Sequence, residues 1–227
     1  MSSEIAQLDF SSVPLFPLPG VVLLPRAVMP LHIFEDRYRD MTADALEGDG
    51  LIAMALLKPG WEKNYYGRAE IHPVVCIGQI LSSERLADGK YNFLLQGVQA
   101  AMVEEEFKDK PYRRARLKPL EITQPMEIDL ERQRRRLVDL FFSTPLGAMA
   151  GGLSFQQLVK SPIATVDVVN VLAFTLLEDV GLKQSLLEET DSIRRVDRAI
   201  EAFSKLAASL PSSPGSYQSG RGDPRMN

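Results

Sequence analysis

Five prolines fall at positions 14, 17, 19, 25 and 30, and they constrain this chain more than any other local feature. Each lacks a backbone N–H and fixes its own φ, so no helix runs through this stretch. The residues between them are apolar, in runs at 13–18, 21–24 and 28–34. Short apolar runs broken by proline and by the turn pair Pro19-Gly20 predict edge or irregular strands.

The period then changes. Over 35–47, Tyr38, Met41, Ala45 and Leu46 fall on one face at helical spacing, with Gly48 as the stop. Residues 51–57 are continuously apolar and strand-like, and 58–73 form a polar loop carrying Trp61, Tyr65 and Tyr66. A strand over 74–80 follows. Asp88-Gly89 predicts a hairpin turn, because such turns need positive φ. Runs at 91–98, 100–107 and 112–120 complete a meander. About seven short strands and one helix predict a small antiparallel barrel-like domain.

After Pro125 the period becomes helical and stays so. Residues 129–142 place Leu130, Leu137 and Phe141 inward, and 153–159 form a short helix. Residues 165–178 are apolar almost all round, which requires a central place in a bundle; Gly181 is read as their stop, with a short helix over 182–187. In 191–210, Ile193, Val196, Ile200, Phe203, Ala207 and Leu210 recur at alternating spacings of three and four behind Asp191, a candidate N-cap. The fold class expected is α+β, an N-terminal antiparallel β pseudo-barrel followed by a C-terminal α-helical bundle. The expected divisions are a flexible N-terminus (1–9), the barrel (10–122), the bundle (123–210) and a disordered tail (211–227). Ten of the seventeen tail residues are Pro, Ser or Gly, too polar to offset their chain entropy.

Composition bounds the function. A chain of 227 residues that is 45% hydrophobic buries a proper core, as one large domain or two modest ones. A net charge of −4 disfavours whole-surface binding to nucleic acid or anionic membrane. One cysteine excludes an internal disulfide framework, and two histidines, His32 and His72, leave little for a metal site. The N-terminal residues have no basic segment followed by an apolar one, so no secretory signal is read there. The uncharged stretch 140–159 holds Pro145, Gly147, Gly151 and Gly152 and is read as an inter-helix loop, not a membrane span. A soluble cytoplasmic protein is the expectation.

The motifs of the common catalytic classes are missing from the sequence. There is no G-x-x-x-x-G-K-[ST], G-x-G-x-x-G, H-E-x-x-H or G-x-S-x-G. Cys76 sits within Val74-Val75-Cys76-Ile77 and reads as a buried core thiol. Gly147 and Gly151 read as loop residues, and Arg221-Gly222-Asp223 as a chance tripeptide. Two basic groups, Arg113, Arg114, Arg116 and Lys118, then Arg132, Arg134, Arg135 and Arg136, read as a solvated face balanced by neighbouring acids. The other reading is an acidic partner or RNA. No cofactor and no metal is expected.

One segment is specific. Pro14-Leu15-Phe16-Pro17-Leu18-Pro19-Gly20, an apolar run to Pro25, then Met29-Pro30-Leu31-His32-Ile33-Phe34-Glu35 and Arg37-Tyr38 resemble the N-terminal domain of the Lon protease family. Ile77-Gly78 and Asp88 to Val98 resemble that family's following strand and hairpin, and the resemblance runs over about residues 10–208. It implies a PUA-like pseudo-barrel and a helical bundle that recognise protein substrates, here as a stand-alone domain without the ATPase and peptidase modules. The expected function is therefore a non-catalytic module for an unfolded or extended polypeptide or a partner protein, with room for a homodimer. The alternatives are a PUA-like RNA binder and an accessory subunit of a proteolytic machine.

The expected binding surface is the strand-to-helix junction at 30–38 with the loop at 58–66, through Phe34, Asp36, Arg37, Tyr38, Trp61, Tyr65 and Tyr66. Aromatic residues and arginine anchor interfaces, long loops are often functional, and proline-interrupted edges leave backbone groups free for an extended peptide. The resemblance implies substrate contact at the start of this helix, at Asp36 and Arg37. The competing reading has the aromatics completing the core and Asp36 capping the helix.

Overall fold

The computed structural model describes residues 8–149 and 151–211. Strands β1 (Val13–Leu18), β2 (Val28–Ile33), β3 (Leu51–Leu56), β4 (Val74–Arg85), β5 (Tyr91–Phe107) and β6 (Arg113–Pro119) form one sheet in the order β2-β5-β4-β3-β1-β6. Because β5 also pairs with β6, five strands close into a ring and β2 is added at the flank of β5. Helix α1 (Asp36–Glu47) joins β2 to β3. The helical half follows as α2 (Glu131–Ser143), α3 (Gly152–Lys160), α4 (Thr165–Leu176), α5 (Val180–Glu188) and α6 (Ser192–Ser209). This is the α+β class read from the sequence.

Three details of the strands differ from that reading. First, the sheet is mixed: β1 and β3 run parallel, with Leu15 opposite Ala53 and Leu18 opposite Leu56. The chain leaves β1, passes through β2 and α1, and returns, and such a crossover is what parallel pairing needs. Second, residues 21–24 are no strand. Val22, Leu23 and Leu24 are buried without ladder partners, and the segment turns at Arg26, whose φ is 68°. Third, the runs at 91–98 and 100–107 are one strand of 17 residues. Gly78 faces Gly97 while Ile77 faces Gln99, so Val98 is an extra residue. A bulge of this kind reverses the in–out alternation, which is why the sequence reads as two strands.

The barrel has two faces to fill. Its interior takes Leu15, Leu51, Ala53, Ala55, Val75, Ile77, Ala101 and Ala115, where small side chains suit a narrow bore. The outside of the wall, including Phe16, Ile52, Met54, Cys76 and Leu95, forms one continuous core with Tyr38 and Met41 of α1 and with Leu137, Phe141, Leu172, Val196 and Phe203 of the helical half. Both faces of β3 are buried, which accounts for its unbroken apolar run. Gln184 of α5 donates from its amide to the Val74 carbonyl at 2.9 Å, stitching the helices to β4.

In the helices, Asp191 caps α6 by accepting from the backbone N–H groups of Ile193 and Arg194 at 3.0 and 3.1 Å. Val196, Ile200 and Phe203 are fully buried as expected, but Ile193 is 37% exposed. The buried face of α6 starts at Ser192 and Arg195 instead. Gly181 does not end α4: that helix stops at Leu176, and Asp179 caps α5 by accepting from the Leu182 N–H at 2.9 Å, with Gly181 inside the new helix. On α1, Leu46 is exposed and Thr42 is buried, its hydroxyl donating to the Tyr38 carbonyl. No helix among the described residues is long and apolar enough to cross a membrane. The expected flexible N-terminus and tail, with Arg221-Gly222-Asp223, lie outside the described residues apart from Leu8, Asp9 and Pro211.

Candidate functional site

The junction after β2 and the excursion between β3 and β4 come together in space. The excursion is pinned at its base, where the Lys58 N–H donates to the Glu70 carbonyl at 2.8 Å and the His72 N–H to the Leu56 carbonyl at 2.9 Å. Beyond that base, Gly60 takes φ 89°, a left-handed turn that favours glycine, and opens a short 3-10 turn over Trp61–Asn64. That turn sets three aromatic residues in a row. The Trp61 and Tyr65 rings meet edge-on at 5.5 Å, and Tyr65 meets Tyr66 edge-on at 5.2 Å.

Arg37, in the first turn of α1, lies against the two tyrosines of this row. Its guanidinium carbon is 4.5 Å from the Tyr38 ring centroid, 5.0 Å from that of Tyr65 and 5.8 Å from that of Tyr66. Glu35 holds it there. The Glu35 carboxylate accepts from Arg37 Nε at 3.1 Å and from the Tyr65 hydroxyl at 2.9 Å. A guanidinium so tethered and stacked keeps its orientation.

Beneath the row lies a cavity of about 260 Å³. Tyr38, buried and packed at 4.6 Å on Phe16, lines it together with Arg68, Tyr112 and Arg113. Arg113 gives two N–H groups to Glu106, at 2.9 and 2.6 Å, and one to the Ala69 carbonyl at 2.7 Å. Arg68 pairs with the same Glu106. The Tyr112 hydroxyl and Lys110 both hold Asp44, at 2.5 and 2.9 Å, which lowers the Asp44 carboxyl below its usual range. Burial raises the Tyr38 and Tyr112 phenols well above theirs, and burial with the Glu35 hydrogen bond raises the Tyr65 phenol. These tyrosines therefore stay neutral near neutral pH. The wall is aromatic, with its cations matched by carboxylates, which suits stacking and hydrogen bonding more than proton transfer.

Of the seven expected residues, Arg37, Tyr38, Trp61, Tyr65 and Tyr66 converge. Tyr66 is 88% exposed, Trp61 and Tyr65 are half-buried, and Tyr38 is core. Phe34 and Asp36 stand apart. Phe34 is exposed and stacks on His32 of β2. Asp36 is not the cap of α1, since Glu35 holds that position; Asp36 pairs with Arg39 at 2.9 Å, whose Nε donates to the Gly89 carbonyl. Sequence reasoning passed over Glu35, although it stood inside the matched motif. Glu106 and Tyr112 carried no local signal and Arg113 read only as part of a basic group, because β5–β6 pairing brings this region in from far along the chain.

The unpaired edge of the sheet is β2, and Pro30 sits on it. The Gly97 N–H donates to the Ala27 carbonyl at 2.9 Å, so alternation turns the backbone groups of Val28, Pro30 and His32 outward. Pro30 thus removes an outward donor in mid-edge and blunts strand addition there. The two basic groups are largely matched by acids or carbonyls. Arg114 pairs with Asp109, Arg116 with Glu105, Arg135 with Glu131 and Arg136 with Asp197, while Arg134 donates to the Ser161 and Ile163 carbonyls. Cys76 is buried, and burial raises its thiol far above the usual range. Among the described residues no His, Cys, Asp and Glu side chains gather as a metal site.

Comparison with known proteins gives a consistent result. The model of the ATP-dependent protease La (LON) substrate-binding domain matches residues 12–205. The Lon protease of Desulfosudis oleivorans is 26% identical over 191 residues, covering 79% of this chain and 22% of the relative. Lon protease 2 of Sorangium cellulosum is 26% identical over 195 residues, covering 83% of this chain and 24% of the relative. The chain thus spans about a quarter of the length of these curated relatives. Among solved structures, the N-terminal domain of the Mycobacterium avium complex Lon protease superposes with a TM-score of 0.67 at 16% identity, covering 86% of this chain and 98% of that one. A Lon N-terminal domain protein from Xanthomonas campestris gives 0.58 at 22% identity, with 88% and 99% coverage. These likenesses extend the shared fold across both the barrel and the helices.

Proposed function

Because the chain belongs to the LON substrate-binding domain family, we propose that it is a polypeptide-binding module, and that it works by recognition rather than by catalysis. The observation that carries this reading is the row of Trp61, Tyr65 and Tyr66, whose two tyrosines stack with Arg37 and line the 260 Å³ cavity. Rigid aromatics and arginine dominate the energetics of protein interfaces, and they offer stacking to many side chains without demanding one sequence. Pre-organisation by Glu35 lowers the ordering cost of binding. Since Pro30 blunts the β2 edge, an extended chain is read as lying across the aromatic row instead of adding a strand to the sheet.

Trp61 is the only tryptophan, so its emission reports the row directly. Titration with reduced, unfolded casein should shift that emission. Tyr66→Ala removes an exposed ring without touching the core, and should weaken binding about tenfold, the equivalent of about 1.4 kcal/mol. Binding that leaves Trp61 emission unchanged and survives Tyr66→Ala would move the contact surface elsewhere.

A further inference from the structure

A second cleft, of about 380 Å³, opens where the barrel meets the helices, between the chain crossing at Arg26 and the first turns of α6. Two polar side chains in its wall are almost fully buried. Arg195 is 2% exposed and Asn170, on α4, is 3% exposed. Arg195 donates from Nε and from one terminal nitrogen to the Glu189 carbonyl, and among the described residues it forms no ion pair. The Glu189 carboxylate is turned instead to Arg194 and Arg198. The Asn170 amide has no hydrogen-bond partner among the described residues.

Other charged groups around this cleft are paired. Arg26 pairs with Asp167 at 3.2 Å, and Glu127 accepts from the backbone N–H and the hydroxyl of Thr165 at 2.9 and 2.7 Å. Burying a guanidinium without a counter-ion, or an amide without a partner, is costly. Both groups line this cleft and have N–H donors left over for an acceptor bound in it.

We propose that this cleft binds a carboxylate, held between the free N–H groups of Arg195 and the side-chain amide of Asn170. A planar carboxylate offers two acceptors side by side, as a guanidinium edge and an amide donor require. One negative charge suffices to neutralise Arg195. A dianion would face Asp167 and Glu127, which already carry negative charge into the same wall. The site is separate from the aromatic row and does not depend on it. A polypeptide's C-terminus and an acidic side chain both present this group.

The test is nuclear magnetic resonance of the full chain, following the Arg195 Nε–H and the Asn170 side-chain amide. N-acetylalanine models a C-terminus, and N-acetylglutamate amide models an acidic side chain. N-acetylalanine amide and N-acetylglutamine amide are their neutral counterparts. A shift of both signals with either acid, and with neither neutral counterpart, supports the proposal and identifies the source. Asn170→Asp should weaken that response at least about tenfold by like-charge repulsion. Asn170→Ala, which deletes the donor without adding charge, should weaken it several-fold should the aspartate variant not fold. No shift with either acid, equal shifts with the neutral compounds, or an undiminished response in a folded variant would each overturn it. Trp61 emission should stay unchanged throughout, so failure here is distinct from failure of the aromatic row.

Discussion

Gly97→Ala adds one methyl group to β5 and should be among the most damaging single changes to the barrel. A Cβ at this position would lie 2.2 Å from the Leu24 carbonyl oxygen and 2.8 Å from its carbon. Both are backbone atoms of the buried segment before Arg26, so no side-chain rotation relieves the clash. The two chains must separate, and they are joined there by Arg26 N–H to Gly97 O at 2.8 Å and Gly97 N–H to Ala27 O at 2.9 Å. Overpacking costs about 1–3 kcal/mol, and each weakened hydrogen bond about 0.5–1.5 kcal/mol. Alanine recovers about 0.5–1 kcal/mol through its better behaviour in a strand. The net expectation is a loss of about 1–5 kcal/mol, which for a chain of this size lowers the melting temperature by about 2–20 °C. Urea unfolding followed by far-ultraviolet circular dichroism measures it. Gly20→Ala is the control, because Gly20 has φ +70° and open space around it, so that only backbone strain of about 1 kcal/mol is expected. A loss for Gly97→Ala no larger than the control's would refute the reasoning, since it would mean that the buried segment yields freely.

Phe203→Ala on α6 should cost about 3–5 kcal/mol, because the ring is fully buried and meets Phe141 edge-on at 6.4 Å; a loss below about 1 kcal/mol in the same unfolding assay would show that the helix is not packed as described. Asp44 is held below the usual carboxylate range by the Tyr112 hydroxyl and then by Lys110. A carboxyl whose folded pKa is depressed adds stability above its unfolded value and loses it as the pH falls through the folded one. Asp44→Asn should therefore be less stable than the parent near neutral pH and converge with it in acid below that range. A gap that widens on acidification would contradict this.

The proline spacing excluded helix from the first residues, and the switch of period after Pro125 announced the bundle. Both are local consequences of φ restriction and of side-chain burial on one face, so they are legible without a fold. The motif from Pro14 to Tyr38 likewise drew attention to Arg37, and the loop's composition to Trp61, Tyr65 and Tyr66, which the fold brings close together. What the chain could not show locally was decided by contacts between distant residues. Val98 reads as part of a turn until its partners across the ladder mark it as the extra residue of a bulge. Residues 21–24 have strand-like side chains, yet they are buried where no neighbouring strand offers them a ladder. Phe34 and Asp36 are adjacent to Arg37 in sequence, but they take no part in its ring contacts, because a chain leaving a strand and starting a helix throws neighbouring side chains in different directions. Tyr112 and Arg113 complete the cavity wall, and β5–β6 pairing brings Glu106 to hold Arg113. Arg195 has the look of a surface arginine in any helical pattern. Only the docking of α6 against the barrel wall, with Cys76 beneath it, buries its charge, since burial is set by which surfaces meet and not by the residue's own neighbours along the chain.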